Sequence, residues 1–433
     1  MSVIVIANYN ARSKYYEEDY PRIIKSINLK PIFMYDIDLF DNKDIKLNAS
    51  KNCSMYENYI SYSHNEMRNV LDTLHLLNNN NNIIAFIPYT EEDVMDSDFF
   101  NNHFKTPSNP IDTSICRRNK YYMQDKLKIA GLKYINQEKC TNLNELINFV
   151  KYNNNNLYVI KPICSAASED VYMCKNIQEL EEKFLQIIDK TNNCGLKNTE
   201  CLIQEFIDGD DWIVNSVSRN GKHKIVNVMK SNKSYINDRH FMYLYTELIE
   251  PKDVPDELLI YAKQVLDVLD IQNGAGHAEI KMSSNGPCLI EIGARVGGGQ
   301  EESAVSSCIV NNYGQLKASI YSYCNAELFN EIPDLYVTTN NKYICITFNC
   351  LYDNLIWNEE YINIITNELK LFVTVHKINC NYITGDILNK TQDLCSIIAR
   401  IFITSTNYDN LKKAIEFIKQ LENNIGIYPS NYL

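Results

Sequence analysis

The sequence predicts an α/β chain built of several lobes, a small parallel sheet followed by α+β units. Three observations predict it. The first hundred residues alternate short apolar runs with amphipathic stretches, the β–α–β rhythm of a parallel sheet. From residue 157 onward, strand-like runs follow one another through tight turns, as antiparallel sheets require. The length of 433 residues exceeds one typical domain, so two to four units are expected.

In the first unit, residues 2–7 read as a buried strand, 16–27 as a helix and 31–35 as a strand. Residues 66–77 are amphipathic, and 82–88 form a buried strand ending in PYTEEDV. No GxGxxG follows the first strand, so a dinucleotide fingerprint is absent. Pro107 and Pro110 mark a linker, after which Thr113 or Ser114 can cap a helix running to Gly131. Residues 157–174 read as strand, small-residue loop, strand. Residues 201–230 read as strands with a hairpin loop at Asp208–Asp211 and a turn at Arg219-Asn220-Gly221. The apolar spacing predicts helices over 255–270, 304–328 and 408–422, with strands in YICITFNC and LKLFVTVHKI. The expected division is 1–110, 111–200, 201–330 and a small C-terminal domain at 331–433.

A hydrophobic content of 45% with 22% charged residues is ordinary for a globular protein. The net charge of −12 argues against a broad nucleic-acid or anionic-membrane surface, while leaving room for a local basic pocket. The opening run MSVIVIANYN is too short for a signal peptide or membrane anchor and follows no basic region. The 14 cysteines are scattered, without CxxC, HExxH or zinc spacing. Reduced thiols in a cytoplasmic protein are the expectation. The Asn runs at 78–82 and 153–156 read as surface loops.

The chemistry concentrates in GHAEIKMSSNGPCLIEIGARVGGG, residues 276–299. At period two, His277, Glu279 and Lys281 share one face and Ala278, Ile280 and Met282 the other. Glu291, Gly293 and Arg295 likewise oppose Ile290, Ile292 and Ala294. A three-residue Ser284-Asn285-Gly286 loop with Gly286 left-handed places Glu279 opposite Glu291; a two-residue Asn-Gly turn separates them. Two carboxylates that close repel unless a cation lies between them. Lys161-Pro162 ends another strand, and Ser165-Ala166-Ala167-Ser168 follows. Small residues let N–H groups and hydroxyls approach phosphate oxygens, with the lysine as counter-charge, although a plain β-turn accounts for the loop taken alone. GxxxxGK[ST] is absent. Arg117, Arg118 and Lys120 form a basic cluster, a second candidate for phosphate, that a solvated helix face explains better when it is taken alone.

The order of these parts resembles the ATP-grasp superfamily over roughly residues 82–300. IPYTEEDVMDSD, RRNKYYM, KPICSAASEDV and GHAEI…LIEIGARVGGG are similar to carboxylate–amine ligases that join amino acids, of the alanine–anticapsin and dapdiamide-type kinds. The resemblance implies an ATP-grasp fold, with an N-terminal parallel-sheet domain, a two-lobed nucleotide clamp and a lid-like C-terminal domain. It implies ATP phosphates on Lys120 and Lys161 under the loop of Ser165, Ala166 and Ser168. The adenine would meet Gln204, Glu205, Phe206 and Ile207, and the ribose Asp211. Glu279 and Glu291 would hold magnesium, with manganese as the alternative. Arg295, Lys161 and His277 would be catalytic, with His277 on a substrate carboxylate or acting as a base. The implied reaction joins a carboxylate to an amine through an acyl phosphate. Its partners are small amino-acid or carboxylate substrates, with no nucleic acid or membrane, and a homodimer is compatible with it. Rival readings are an ATP-grasp enzyme with another acceptor and a silent nucleotide binder. Two departures stand out: Gly293 replaces an Asn that serves many members as a third metal ligand, and Ala167 and Asp170 stand where related loops often carry Gly.

Overall fold

A computed structural model describes residues 3–7, 19–36, 58–153, 156–165, 167–192, 196–237 and 239–425. Ala166 and the first and last residues of the chain lie outside them. The strands Val3–Ala7 (β1), Lys30–Asp36 (β2), Asn58–Tyr62 (β3) and Ile83–Pro88 (β4) pair in parallel in the order β3-β2-β1-β4. Alternate residues of β2 and β4 enter different cores. Ile32, Met34 and Phe86 pack against Val70, Leu74 and Phe100, while Phe33, Ala85 and Ile87 join the main core. Burial on both faces is the reason these strands read as unbroken apolar runs. The Asn run at 78–82 departs from the loop expected there, because the helix Met67–Asn81 extends through it.

Four more strands, Gln137–Cys140 (β5), Tyr158–Pro162 (β6), Tyr172–Cys174 (β7) and Cys201–Glu205 (β8), form an antiparallel sheet in the order β5-β8-β6-β7. Asp210–Arg219 (β9), Lys222–Ile236 (β10), Arg239–Leu248 (β11), Gly274–Ser283 (β12), Gly286–Gly293 (β13) and Lys342–Phe348 (β14) follow. Leu355–Ile356 (β15) pairs with Ile387–Leu388 (β17), on either side of Thr374–Cys380 (β16) in sequence; Ala399–Ser405 (β18) comes last. The large sheet has eight strands in the order β13-β12-β9-β10-β11-β14-β18-β16.

Several sequence expectations are corrected here. β8 and β9 are not a hairpin: Asp208-Gly209 carries the chain from one sheet to the other. The helix expected from Thr113 is broken into a 3-10 turn at Ile111–Arg117 and a helix at Lys120–Ile129, whose cap is the Asn119 side chain bonded to the Tyr121 and Tyr122 N–H groups. The expected helix over 304–328 is three helices, Glu302–Ser307, Gln315–Cys324 and Ala326–Glu331. Asn311 and Asn312, both left-handed, break the first interval. Residues beyond 331 carry their own core, where Leu411, Ile415 and Ile418 of the helix Tyr408–Asn424 meet Ile344, Ile346 and Ile401. Their strands nevertheless continue the large sheet, β14 pairing with β11 through Tyr245↔Ile346.

Candidate active site

The opposition of Glu279 and Glu291 arises from a bulge, not from the loop length expected. Ser283 pairs with Gly286, so the turn holds two residues, Ser284 and Asn285, with Gly286 at φ +89°. That register alone would set Glu279 opposite Ile290. Between Glu279 and Ile280 the ladder slips by one residue: Ile280 pairs with Leu289 and Glu279 with Glu291. The extra residue, Ile290, turns to the same cleft as the glutamates, while Ala278, Ile280, Ile292 and Ala294 join the core. The sequence-level assignment of Ile290 to the core face is thereby corrected.

The cleft has a volume of about 370 Å³ and lies between the two antiparallel sheets. Of the expected site residues, Lys120, Lys161, Ser165, Ser168, Gln204, Glu205, Phe206, Ile207, Asp211, His277, Glu279, Glu291 and Arg295 all line it. Arg117 does not. It is fully buried, bonded to Asp98 at 2.7 Å and to the Pro110 and Leu269 carbonyls, where it ties the linker to the core.

Each carboxylate has a cation. Lys120 Nζ donates to the Ser165 carbonyl at 2.9 Å and lies 3.2 Å from Glu291. Lys233 Nζ lies 3.6 Å from Glu279 and 3.1 Å from Asp211, and the Tyr243 hydroxyl donates to Glu279 at 3.3 Å. Burial pushes Glu291 up, but Lys120, Lys161 and Arg295 outweigh it and hold the carboxyl at about 2. Burial raises Glu279, with Glu291 and Asp211 adding to the rise against Lys233. Lys161, at the end of β6, is brought down to about 8 by burial and by Lys120.

The donor set fits a hard divalent cation: two carboxylates in register, Glu291 held ionised by its cations and Glu279 raised by burial and by Glu291 beside it. Gly293 supplies no third ligand, and the space beside it is taken. A Cβ there would collide with the Glu91 carboxylate, which pairs with Arg295. Glu91 is held by the turn after β4, where the Asp93 carboxylate accepts from the Tyr89 and Thr90 N–H groups at 3.1 and 2.6 Å.

His277 is buried, and burial together with Arg295 depresses it to about 3. Its Nδ1 lies 2.7 Å from Asn215 Oδ1, which an imidazole satisfies by donating from Nδ1 and keeping Nε2 as an acceptor. A neutral ring with so low a pKa accepts hydrogen bonds but stores no proton near neutrality.

The loop after Lys161 carries left-handed residues without glycine: Ala167 at φ +61°, Ser168 at +61° and Asp170 at +51°. It is fastened from two sides. Asp170 pairs with Lys190 at 2.5 Å, and the Leu394 N–H donates to the Ala167 carbonyl at 3.2 Å. Phe206 and Phe241, which also line the cleft, stack with centroids 6.3 Å apart.

A model of the ATP-grasp domain matches residues 155–303, the span from β6 to the start of the helix after β13. Dapdiamide A synthase of Enterobacter agglomerans is 30% identical over 322 residues, 73% of this chain and 74% of that protein. The chain belongs to the ATP-grasp ligases. It is an ATP-dependent enzyme that forms an amide bond. Among solved structures, the L-amino acid ligase from Bacillus licheniformis has the same fold, with TM-score 0.74, 16% identity and 97% of each chain covered. Phosphoribosylglycinamide synthetase from Anaerococcus prevotii gives TM-score 0.63 at 14% identity, covering 97% of this chain and 98% of that one. The biotin carboxylase domain of the Hydrogenobacter thermophilus 2-oxoglutarate carboxylase, solved with MgADP, gives 0.65 at 12%, covering 100% and 94%.

Sequence reasoning missed several residues lining this ligase's cleft: Glu91, Lys233, Phe241, Tyr243, Gln300 and Arg400. Glu91 sits in PYTEEDV, a stretch the resemblance already marked. Lys233 and Arg400 lie on strands whose neighbours only the sheet order reveals.

Proposed function

We propose that the ligase activates the carboxylate of an amino acid or other small acid as an acyl phosphate and joins it to the amine of an amino acid. One observation carries this reading: Lys120, Lys161, Glu279, Glu291 and Arg295, drawn from four separate elements and a loop, line one cleft. ATP would lie with its base between the apolar wall at Phe206 and Ile207 and the strand exit at Gln204 and Glu205. The Glu205 N–H is engaged by the Asn136 carbonyl at 3.0 Å, so the base edge would meet the Glu205 carbonyl and the Ile207 N–H. Asp211, held by Lys233 and Lys281, faces the ribose. Lys120 and Lys161 bind phosphate oxygens under the loop of Ser165, Ala166 and Ser168. A divalent cation on Glu279 and Glu291, magnesium or manganese, would supply charge neutralisation on the phosphates.

The γ-phosphoryl group moves to a carboxylate oxygen of the first substrate and ADP leaves. The neutral amine of the second substrate then attacks the acyl carbon, the C–O bond to phosphate breaks, and the proton the amine sheds leaves on the departing phosphate. Arg295 is oriented by Glu91 and by its bond to the Val296 carbonyl at 2.8 Å. Its fork suits the oxyanion and the departing phosphate. His277 Nε2 accepts from the incoming amine without taking up its proton.

No helix among the described residues is long and apolar enough to cross a membrane. A cytoplasmic enzyme without nucleic-acid or membrane partners, acting as monomer or homodimer, accords with this chemistry. The test is a screen of amino-acid pairs for ADP and phosphate release with mass detection of the amide. Amide formation that requires ATP and both substrates is expected; ADP release indifferent to every added amine would overturn the reading.

A further inference from the structure

The cleft has a cation, Arg400, to which the steps above assign no role. After β13 the chain runs through Val296-Gly297-Gly298-Gly299-Gln300 into the helix Glu302–Ser307, and that segment reaches β18. There Arg400, opposite Thr347 on β14, lines the cleft together with Gly298, Gly299 and Gln300. The approach of turn and strand is close. A Cβ at Gly299, which has φ +78°, would collide with the Arg400 guanidinium. A glycine here keeps the backbone open against the side chain, so the guanidinium lies along the turn instead of being pushed away from it.

Two further observations point to a ligand. Gln300 is 5% exposed, and its amide nitrogen is buried without a hydrogen-bond partner, although an unmet buried donor is costly. That amide also lies beside His277, the residue assigned to the incoming amine, since a Cβ at Gly297 would collide with the His277 ring and the Gln300 amide alike.

We propose that Arg400, with the Gln300 amide, binds the α-carboxylate of the amine-donating substrate and makes the enzyme select amino acids over simple amines. This rests on the ligase reading above. An α-amino acid carries its carboxylate one carbon from its amine. A guanidinium near His277 can therefore hold the carboxylate while the amine faces the acyl carbon. A planar fork is the group suited to bidentate carboxylate recognition.

The test uses the full-length enzyme, with the best carboxyl donor from the screen and three kinds of acceptor: the twenty amino acids, their carboxamides, and hydroxylamine, which has no carboxylate. For Arg400→Leu, KM for amino-acid acceptors should rise roughly 10–100-fold, the scale for one charged hydrogen-bonding contact. KM for the carboxamides should move much less, so that the preference for free amino acids collapses. Arg400→Lys should fall between and serves as the second variant if Arg400→Leu does not fold. An unchanged ratio of amino-acid to carboxamide KM overturns the assignment, as does loss of hydroxylamine-dependent turnover equal to the loss with amino acids. Wild-type enzyme that releases no ADP with hydroxylamine and any donor would instead sink the ligase reading, which separates the two failures.

Discussion

Arg295, just past the end of β13, forms an ion pair with Glu91, which follows β4 of the first sheet. The pair is mostly buried, with side chains 16% and 13% exposed. It couples this part of the cleft to the N-terminal unit, so Arg295 cannot be removed without leaving a buried carboxylate alone.

Arg295→Met should therefore lower both turnover and melting temperature. The turnover loss should be about 10²–10³-fold, as for removal of one preorganised donor to developing charge. The double variant Glu91→Gln/Arg295→Met should regain the melting temperature but not the turnover. Amide-forming rates beside melting curves decide this, and recovery of both together would make the arginine purely structural.

Lys161, proposed above to bind ATP phosphates, gives that role a pH dependence. With the ammonium depressed to about 8, its charge is present below that pH and is lost as pH rises through it. KM for ATP should accordingly climb above pH 8. Lys161→Arg, charged throughout, should flatten the climb whatever it does to the absolute rate. A KM profile from pH 6.5 to 9.5 measures the effect; identical slopes in both proteins would remove Lys161 from the phosphates.

The loop after Lys161 stores backbone strain at Ala167, which takes φ +61°. A left-handed non-glycine residue costs roughly 1–2 kcal/mol, and glycine returns about 0.5–1 kcal/mol of that through its freer unfolded state. Ala167→Gly should thus stabilise the protein by about 0.5–1 kcal/mol in a urea titration. A destabilised variant would show that the alanine methyl packs favourably enough to offset its backbone.

Two buried acids predict how stability varies with pH. Glu302 accepts the Gly314, Leu316 and Lys317 N–H groups, yet burial outweighs them and raises it to about 7. Glu422, buried on the last helix against the Asn349 N–H, is likewise raised to about 7. Carboxyls raised in the folded state stabilise it fully below their unfolded pKa near 4.5, and that contribution is lost as pH climbs through 7. Melting temperature should fall from pH 5 to 8 on their account. Glu422→Gln should shallow the fall, and a slope unaltered in that variant would count against the shift.

Much of this site was legible because short-range patterns carry it. Period-two alternation in HAEIK and LIEIGAR placed both glutamates, and Lys161-Pro162 with its small residues located the loop. The face of Ile290 was not legible, since a bulge depends on the partner strand and leaves no mark in its own spacing. Nor was the inward turn of Arg117, whose partners Asp98 and Leu269 are distant in sequence. Arg400 was invisible for the same reason: a lone arginine before an apolar strand acquires meaning only when β18 lies beside β14.

The arrangement of sheets also bears on how such an enzyme can be recombined. Residues 137–205 close on themselves as a sheet of their own, entered and left by single connections near Ile135 and Asp208. That block is the natural cassette for exchange with a relative. A crossover near residue 331 looks harmless in sequence, but it would graft foreign edges onto one continuous ladder at β11 and β14 and part Glu279 and Glu291 from Arg400. Chimeras that trade the lobe of Lys161 should survive; those that trade the C-terminal hundred residues should require both sides of the seam to have diverged together.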